Sequence, residues 1–144
     1  MSILKRAIEI AVEAHKDQVD KTGSPYIEHL FRVMGLGKNE DEKICGVLHD
    51  LVEDTSWSFE ELNREGFSSE IIDALRCVTK TSEDEDYDAF LDRIVCNRLA
   101  VAVKINDLTD NLDVRRLPHI TEKDMSRLNK YLKAYRRLVA LKNQ

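Results

Sequence analysis

Apolar residues recur along this chain at intervals of three and four positions, the spacing of an amphipathic α-helix. The pattern begins at Ile3, where Ser2 is a suitable N-cap, and predicts a first helix to about Lys16. A second short helix is predicted after Ser24-Pro25, because a capping serine followed by proline is typical of a helix start.

The third predicted helix carries the broadest apolar stripe. It is capped in this prediction by Asp41, and its apolar positions between residues 44 and 52 cover so much of its surface that we expect it to be deeply buried. A capping box, Ser58 to Glu61, opens a short helix that follows. The remaining periodic segments predict helices over residues 68–78, 87–96, 98–112 and 121–141.

Composition supports an all-α protein. The chain has 144 residues, of which 42% are apolar, but only 5 are glycine and 2 are proline, and helix-forming residues dominate. We expect one domain spanning residues 1–144, folded as a bundle of six to eight helices. No apolar run is long enough to cross a bilayer and no signal pattern opens the chain, so the sequence predicts a cytoplasmic protein with no membrane partner.

Charge and cysteine content narrow the function further. The net charge of -5 disfavours broad nucleic-acid binding. The charge is unevenly distributed along the chain. Positions 1–90 contain 10 basic and 21 acidic residues, whereas positions 91–144 contain 12 basic and 6 acidic residues. The acidic N-terminal part could therefore hold a cation, while the basic C-terminal part holds an anion. Cys45, Cys77 and Cys96 show no metal-binding spacing and are predicted to be reduced core residues.

The candidate chemistry starts in the most apolar helix, which contains His49-Asp50 followed closely by Glu53-Asp54. A buried carboxylate is costly unless a cation or a hydrogen-bond network compensates it. One alternative is that His49 makes a local hydrogen bond and that the acids mark a fraying helix end.

Two further polar residues lie in core-facing stretches, His29 on the preceding helix and Asp107 in the apolar run from Leu99 to Leu112. Two imidazoles and two carboxylates from three helices would suit a divalent ion, with Mn²⁺ preferred and Mg²⁺, Fe²⁺, Co²⁺ or Zn²⁺ less specifically indicated. Glu53 or Asp54 could then position a water and move its proton. The sequence contains no P-loop and no nucleophile elbow.

Four segments carry a resemblance to a known family, namely residues 14–18, 23–29, 47–55 and 104–111. In their order and spacing they resemble the hydrolase domain of RelA/SpoT-type alarmone enzymes, including the small stand-alone members. The resemblance covers roughly residues 1–115. It implies an HD-type helical bundle, a role in the stringent response, and Mn²⁺-dependent hydrolysis of (p)ppGpp to GDP or GTP and pyrophosphate, without room for a synthetase domain.

The resemblance also assigns roles to individual residues. It implies a metal site of His29, His49, Asp50 and Asp107, and a catalytic acidic pair of Glu53 and Asp54. It implies substrate contacts for Lys21 and Asn111, and Lys104 is a further candidate for a phosphate contact. The sequence is compatible with a homo-oligomer but does not predict one.

Three positions depart from the family pattern. Asp20 and Leu108 stand where the family usually has basic residues, and Asp110 stands where it usually has histidine. These changes predict less positive charge around the substrate. A different nucleotide, such as a 3′-phosphorylated cofactor or a nucleoside phosphate, therefore stays open as the substrate, and a non-catalytic metal and nucleotide sensor is a third hypothesis.

Overall fold

The structure is a computed structural model that describes residues 3–143, so the predicted N-cap at Ser2 lies outside the described residues. Within that range, nine α-helical segments and one 3₁₀ turn (Val114–Arg116) follow one another. The helices are α1 (Ile3–Ala14), α2 (Ile27–Gly35), α3 (Glu40–Leu48), α4 (Leu51–Asp54), α5 (Phe59–Arg64), α6 (Ser69–Cys77), α7 (Tyr87–Ile94), α8 (Arg98–Asn111) and α9 (Glu122–Lys142).

The predicted all-α class is confirmed, and no strand is formed over residues 3–143 beyond an isolated bridge between Val19 and Pro25. Helix α3 lies at the centre, where it packs against α1, α2, α6 and α8. Every apolar side chain of α3 is buried, as its stripe predicts. Helix α9 packs mainly on α8 and buries Ala134 and Leu138.

The predicted continuous helix through residues 41–54 is wrong. Helix α3 ends at Leu48 and α4 begins at Leu51, because Asp50 has a backbone conformation outside the helical region (φ -104°, ψ 2°). The ring of His49 is hydrogen-bonded through Nδ1 to the carbonyl oxygen of Gly46 at 2.7 Å. In an uninterrupted α-helix that carbonyl would accept from the amide of Asp50, so the side chain competes with the backbone. Counting α3 and α4 as one interrupted helix gives eight helices, within the predicted six to eight.

Two smaller predictions also need correction. Helix α3 is capped by Asn39 and not by Asp41, since the Asn39 side chain accepts from the Glu42 amide at 2.9 Å. All three cysteines are free, but only Cys45 is buried in the core, whereas Cys77 is half-buried and Cys96 is exposed. No described helix combines the length and the apolar character needed to span a membrane.

Candidate metal centre and its flanking cavities

The interruption between α3 and α4 positions two of the predicted ligands. Leu48 and Leu51 are both buried on either side of the break, so the core fixes the backbone there. His49 and Asp50 lie between them at the point where the helix is interrupted. The side chain of His49 is 3% exposed and that of Asp50 is 18% exposed, so this acidic group borders solvent while the imidazole does not.

The structure brings all four predicted metal ligands together. The ligand atoms of His29, His49 and Asp50 all lie within 4.8 Å of one another. Asp107 joins them from α8, where its Oδ1 lies 3.0 Å from Nε2 of His29 and 3.2 Å from Nε2 of His49. Nε2 of His49 is also 3.1 Å from Oδ2 of Asp50.

These separations fit a single divalent ion. Metal–nitrogen and metal–oxygen bonds of about 2.0–2.2 Å place neighbouring ligand atoms about 3 Å apart on an octahedron. Two imidazole nitrogens with two carboxylate oxygens form a mixed set of intermediate hardness, which suits first-row divalent metals. The residues present therefore fit the ion that the sequence predicts.

Both imidazoles have their ring orientation fixed from behind. Nδ1 of His29 lies 2.6 Å from Oδ2 of Asp110, and Nδ1 of His49 lies 2.7 Å from the Gly46 carbonyl oxygen. Because these partners are acceptors, each Nδ1 carries a proton and donates. Nε2 of each ring then faces the carboxylate of Asp107, which is the arrangement expected of metal-ligating histidines.

Electrostatics keep the cluster charged when no metal is bound. Burial alone would lower the pKa of His49, but the charges of Asp50 and Asp107 outweigh it and raise that pKa well above its ordinary value. Burial likewise opposes the charged form of Asp107, yet Lys104 and the two histidines hold the pKa of this carboxyl well below its usual range. Because protons compete with a metal for the imidazole nitrogens, metal affinity at this site should depend on pH.

The predicted acidic pair lies beside this cluster on α4. Both residues are exposed to solvent over part of their surface, and Oε1 of Glu53 accepts from the backbone amide of Lys80 at 3.1 Å. Partial burial, followed by the charges of Asp50 and Glu53, raises the pKa of Asp54 to about 6. A carboxylate with this pKa can exchange a proton near neutral pH, as a general base must.

Two cavities flank the centre. The first, of about 760 Å³, is lined by Glu53 and Asp54 together with Arg76, Lys80 and the loop 79–83. The second, of about 310 Å³, lies on the side of His29, and its polar lining is Asp20, Lys21, Thr22, Tyr26, Arg32, Asp110, Asn111, Asp113, Arg116, Arg127 and Tyr131. Both volumes are within the range of small-molecule sites.

The three predicted substrate-binding residues are placed differently from one another. Lys21 is exposed and lines the second cavity. Lys104 donates to Oδ2 of Asp107 at 2.9 Å, and Asn111 donates to Oδ1 of the same carboxylate at 3.1 Å. Asn111 also lines the second cavity, whereas the 12% exposed Lys104 acts first as the counter-ion of Asp107.

The three residues that depart from the family pattern lie in different surroundings. Asp20 organises a turn, because its Oδ1 accepts from the amides of Thr22 and Ser24 at 2.8 and 3.0 Å. Leu108 is fully buried in the core and lines neither cavity. Asp110 contacts His29 and two arginines, Arg32 and Arg116, which agrees with the expected reduction of positive charge and adds a contact to a predicted metal ligand.

Sequence reasoning did not predict the contacts that two residues make with the site. Asp110 contacts His29 from behind, and the hydroxyl of Tyr26 donates to Oδ2 of Asp50. The signal for Asp110 was present, because an aspartate three residues after Asp107 faces the same side of α8. Tyr26 carried no comparable signal, since its contact depends on how α2 packs against the α3–α4 break.

Comparison with known proteins identifies relatives. The chain is 32% identical to a GTP pyrophosphokinase of Myxococcus xanthus over 89% of this chain and 19% of that protein. It is 30% identical to a guanosine-3′,5′-bis(diphosphate) 3′-pyrophosphohydrolase of Aquifex aeolicus over 76% of this chain and 17% of that protein. No protein-family model matches the chain.

A solved structure has the same fold. It is described as a metazoan ortholog of SpoT that hydrolyses ppGpp and plays a role in starvation responses. The two structures align with a TM-score of 0.79 and 22% sequence identity, over 96% of this chain and 85% of the other. The chain spans less than a fifth of the length of the two curated relatives named above.

Proposed function

The chain is related over most of its length to RelA/SpoT-type proteins and has the helical fold of an HD-type hydrolase domain, and on this basis we propose that it is a metal-dependent phosphohydrolase of (p)ppGpp. The reaction would remove the 3′-pyrophosphate and yield GDP or GTP. The observation that carries the proposal is the convergence of His29, His49, Asp50 and Asp107 beside the pair Glu53 and Asp54.

The chemistry divides between the metal and the protein. His29, His49, Asp50 and Asp107 would hold the divalent metal, Mn²⁺ in our proposal, which would supply Lewis acidity and lower the pKa of a water bound to it. Asp54, one helical turn after Asp50, would accept the proton of the attacking water. Glu53 orients that water, while the Lys80 amide fixes the carboxylate of Glu53.

Cationic groups at the second cavity supply the substrate contacts. Lys21 lies near Arg127 and Lys130, and partial burial together with these neighbouring charges lowers the pKa of its ammonium. Such a cluster of like charges favours a polyphosphate that neutralises it. Asn111 lies between Asp107 and this cavity, where it can contact the ribose. We place the reaction in the cytoplasm.

A second substrate class follows from Asp20. The family has a basic residue here that contacts the base, whereas this carboxylate is committed to the turn at Thr22 and Ser24. A nucleotide whose base needs no cationic contact, for example a 3′-phosphorylated cofactor or a nucleoside phosphate, is therefore the alternative substrate.

The test is a panel of nucleotides incubated with the purified chain and Mn²⁺, with products separated by anion-exchange chromatography. We expect ppGpp to be the preferred substrate and pyrophosphate to be released. Preference for another nucleotide would support the second class. Binding of metal and nucleotide without turnover by the wild-type chain would instead support a sensor.

Variants then separate metal binding from catalysis. Asp107→Asn should lose metal and activity together. Asp54→Asn should still bind metal, which calorimetry can measure, while turnover falls about 10²- to 10⁴-fold because the group that accepts the proton is lost. Glu60→Gln, a change at an exposed acid on α5, is the matched control. A fully active Asp107→Asn variant would refute the assignment.

A further inference from the structure

The residue that the metal and the acidic pair leave unexplained is Asp110. It is 6% exposed and lies one turn after Asp107 on α8. Its Oδ2 lies 2.6 Å from Nδ1 of His29, and its Oδ1 accepts from Nε of Arg32 at 2.7 Å. Arg116 donates to its backbone carbonyl at 3.0 Å and approaches Oδ2 at 3.4 Å.

We propose that Asp110 is a positioning residue that joins the metal centre to the wall of the second cavity. The inference rests on the proposed role of His29 as a metal ligand. An imidazole presents the lone pair of Nε2 to a metal only when the proton is on Nδ1, and a buried acceptor on Nδ1 selects that tautomer. A carboxylate acceptor also makes the ring a stronger ligand.

The two oxygens of Asp110 explain why aspartate serves at this position. One oxygen accepts from His29 and the other from Arg32, so the same side chain holds a ligand and a cavity-lining guanidinium. A neutral histidine has one acceptor nitrogen and could satisfy only one of these donors. The cost of burying the carboxylate is offset by Arg32 and Arg116, which both reach it from the cavity side.

This network makes two properties of the site depend on one residue. Loss of the carboxylate frees the His29 ring to rotate or to change tautomer, which weakens the metal site. The same loss leaves Arg32 and Arg116 without their shared acceptor, which loosens the arginine side of the second cavity. Metal affinity and substrate KM should therefore change together in Asp110 variants.

The experiment measures Mn²⁺ affinity by calorimetry and the His29 tautomer by ¹⁵N NMR of the histidine rings. Asp110→Ala should bind Mn²⁺ about 10- to 100-fold more weakly, as is usual when the acceptor behind a ligating histidine is removed. Asp110→Asn keeps an acceptor oxygen and should therefore lose less Mn²⁺ affinity than Asp110→Ala. Asp113→Asn is the matched control, because Asp113 pairs with Arg116 at 3.3 Å but has no contact with His29 among the hydrogen bonds of the described residues.

The NMR arm uses metal-free protein at a pH high enough to leave His29 neutral. In the wild type and in Asp113→Asn the proton should be on Nδ1, whereas Asp110→Ala should show a mixture of tautomers. Should Asp110→Ala fail to fold, Asp110→Leu, whose side chain has a similar shape but no acceptor, decides the metal affinity. An Asp110→Ala protein that keeps the Nδ1-protonated ring and wild-type Mn²⁺ affinity would overturn the proposal. If the wild type binds no Mn²⁺, the proposed function fails, and the tautomer result still decides the role of Asp110.

Discussion

Breaking the ion pair between Lys104 and Asp107 should strongly destabilise the metal-free protein. The two side chains are only 12% and 7% exposed and lie 2.9 Å apart. Asp107→Asn leaves the Lys104 ammonium buried without its counter-ion, a change that typically costs about 3–5 kcal/mol. For a domain of this size that corresponds to a drop in Tm of roughly 10 °C.

The reverse substitution should cost less, because the partners of the two groups differ. Lys104→Met removes one cation, but Asp107 keeps His29, His49 and Asn111 around its oxygens. The double variant removes both charges and leaves neither one unpaired. Its loss of stability should therefore be smaller than the sum of the two single losses, by about 0.5–3 kcal/mol.

The assay is urea unfolding of the wild type, both single variants and the double variant, in EDTA at pH 7. The slope of each unfolding curve shows whether the compactness of the unfolded state has changed. Additive losses would mean that Lys104 and Asp107 do not interact in the folded protein, and the account of this pair given above would then be wrong.

Two further predictions concern the neighbourhood of α4. The raised pKa of Asp54, about 6 against an ordinary 3.8, means that its ionisation destabilises the metal-free fold as pH rises from about 4 to about 6. Asp54→Asn should therefore have a higher Tm than wild type above pH 6 but not below pH 4, whereas Ser56→Ala, a change at an exposed residue without an ionisable side chain, should show no such dependence on pH. Arg93 donates to the Glu85 carboxylate and to the carbonyl oxygen of Thr79. Arg93→Ala should therefore lower the Tm and speed amide exchange in residues 78–86, and unchanged exchange there would contradict this prediction.

The fold was predictable where periodicity and capping chemistry agree. The capping boxes at Ser58 and Thr121 both form, and the helices after them begin within a residue of the expected positions. The interruption at His49-Asp50 was not predictable from periodicity, because the apolar pattern continues through it. The interruption depends on a hydrogen bond from the His49 ring to the Gly46 carbonyl oxygen, and a pattern of apolar positions does not predict such a side-chain hydrogen bond.

The candidate site was predictable as a set of residue types but not as a network. Polar residues in apolar helices identified His29, His49 and Asp107, since each would otherwise be buried without reason. The contacts among them depend on how separate helices pack. For that reason the sequence predicted a phosphate contact for Lys104 but not the hydrogen bond that its ammonium donates to Asp107. The contact of Asp110 with His29 could not be predicted from the sequence either.

The two-residue joint between α3 and α4 restricts how this chain can change in length. Leu48 and Leu51 are both buried in the core, and two residues connect them. Inserting or deleting one residue between them would remove one of the two leucines from the core or rotate His49 and Asp50 away from α8. Insertions should be tolerated far better in the exposed stretch 81–84, so natural length variation among relatives should accumulate there and be absent from 48–51.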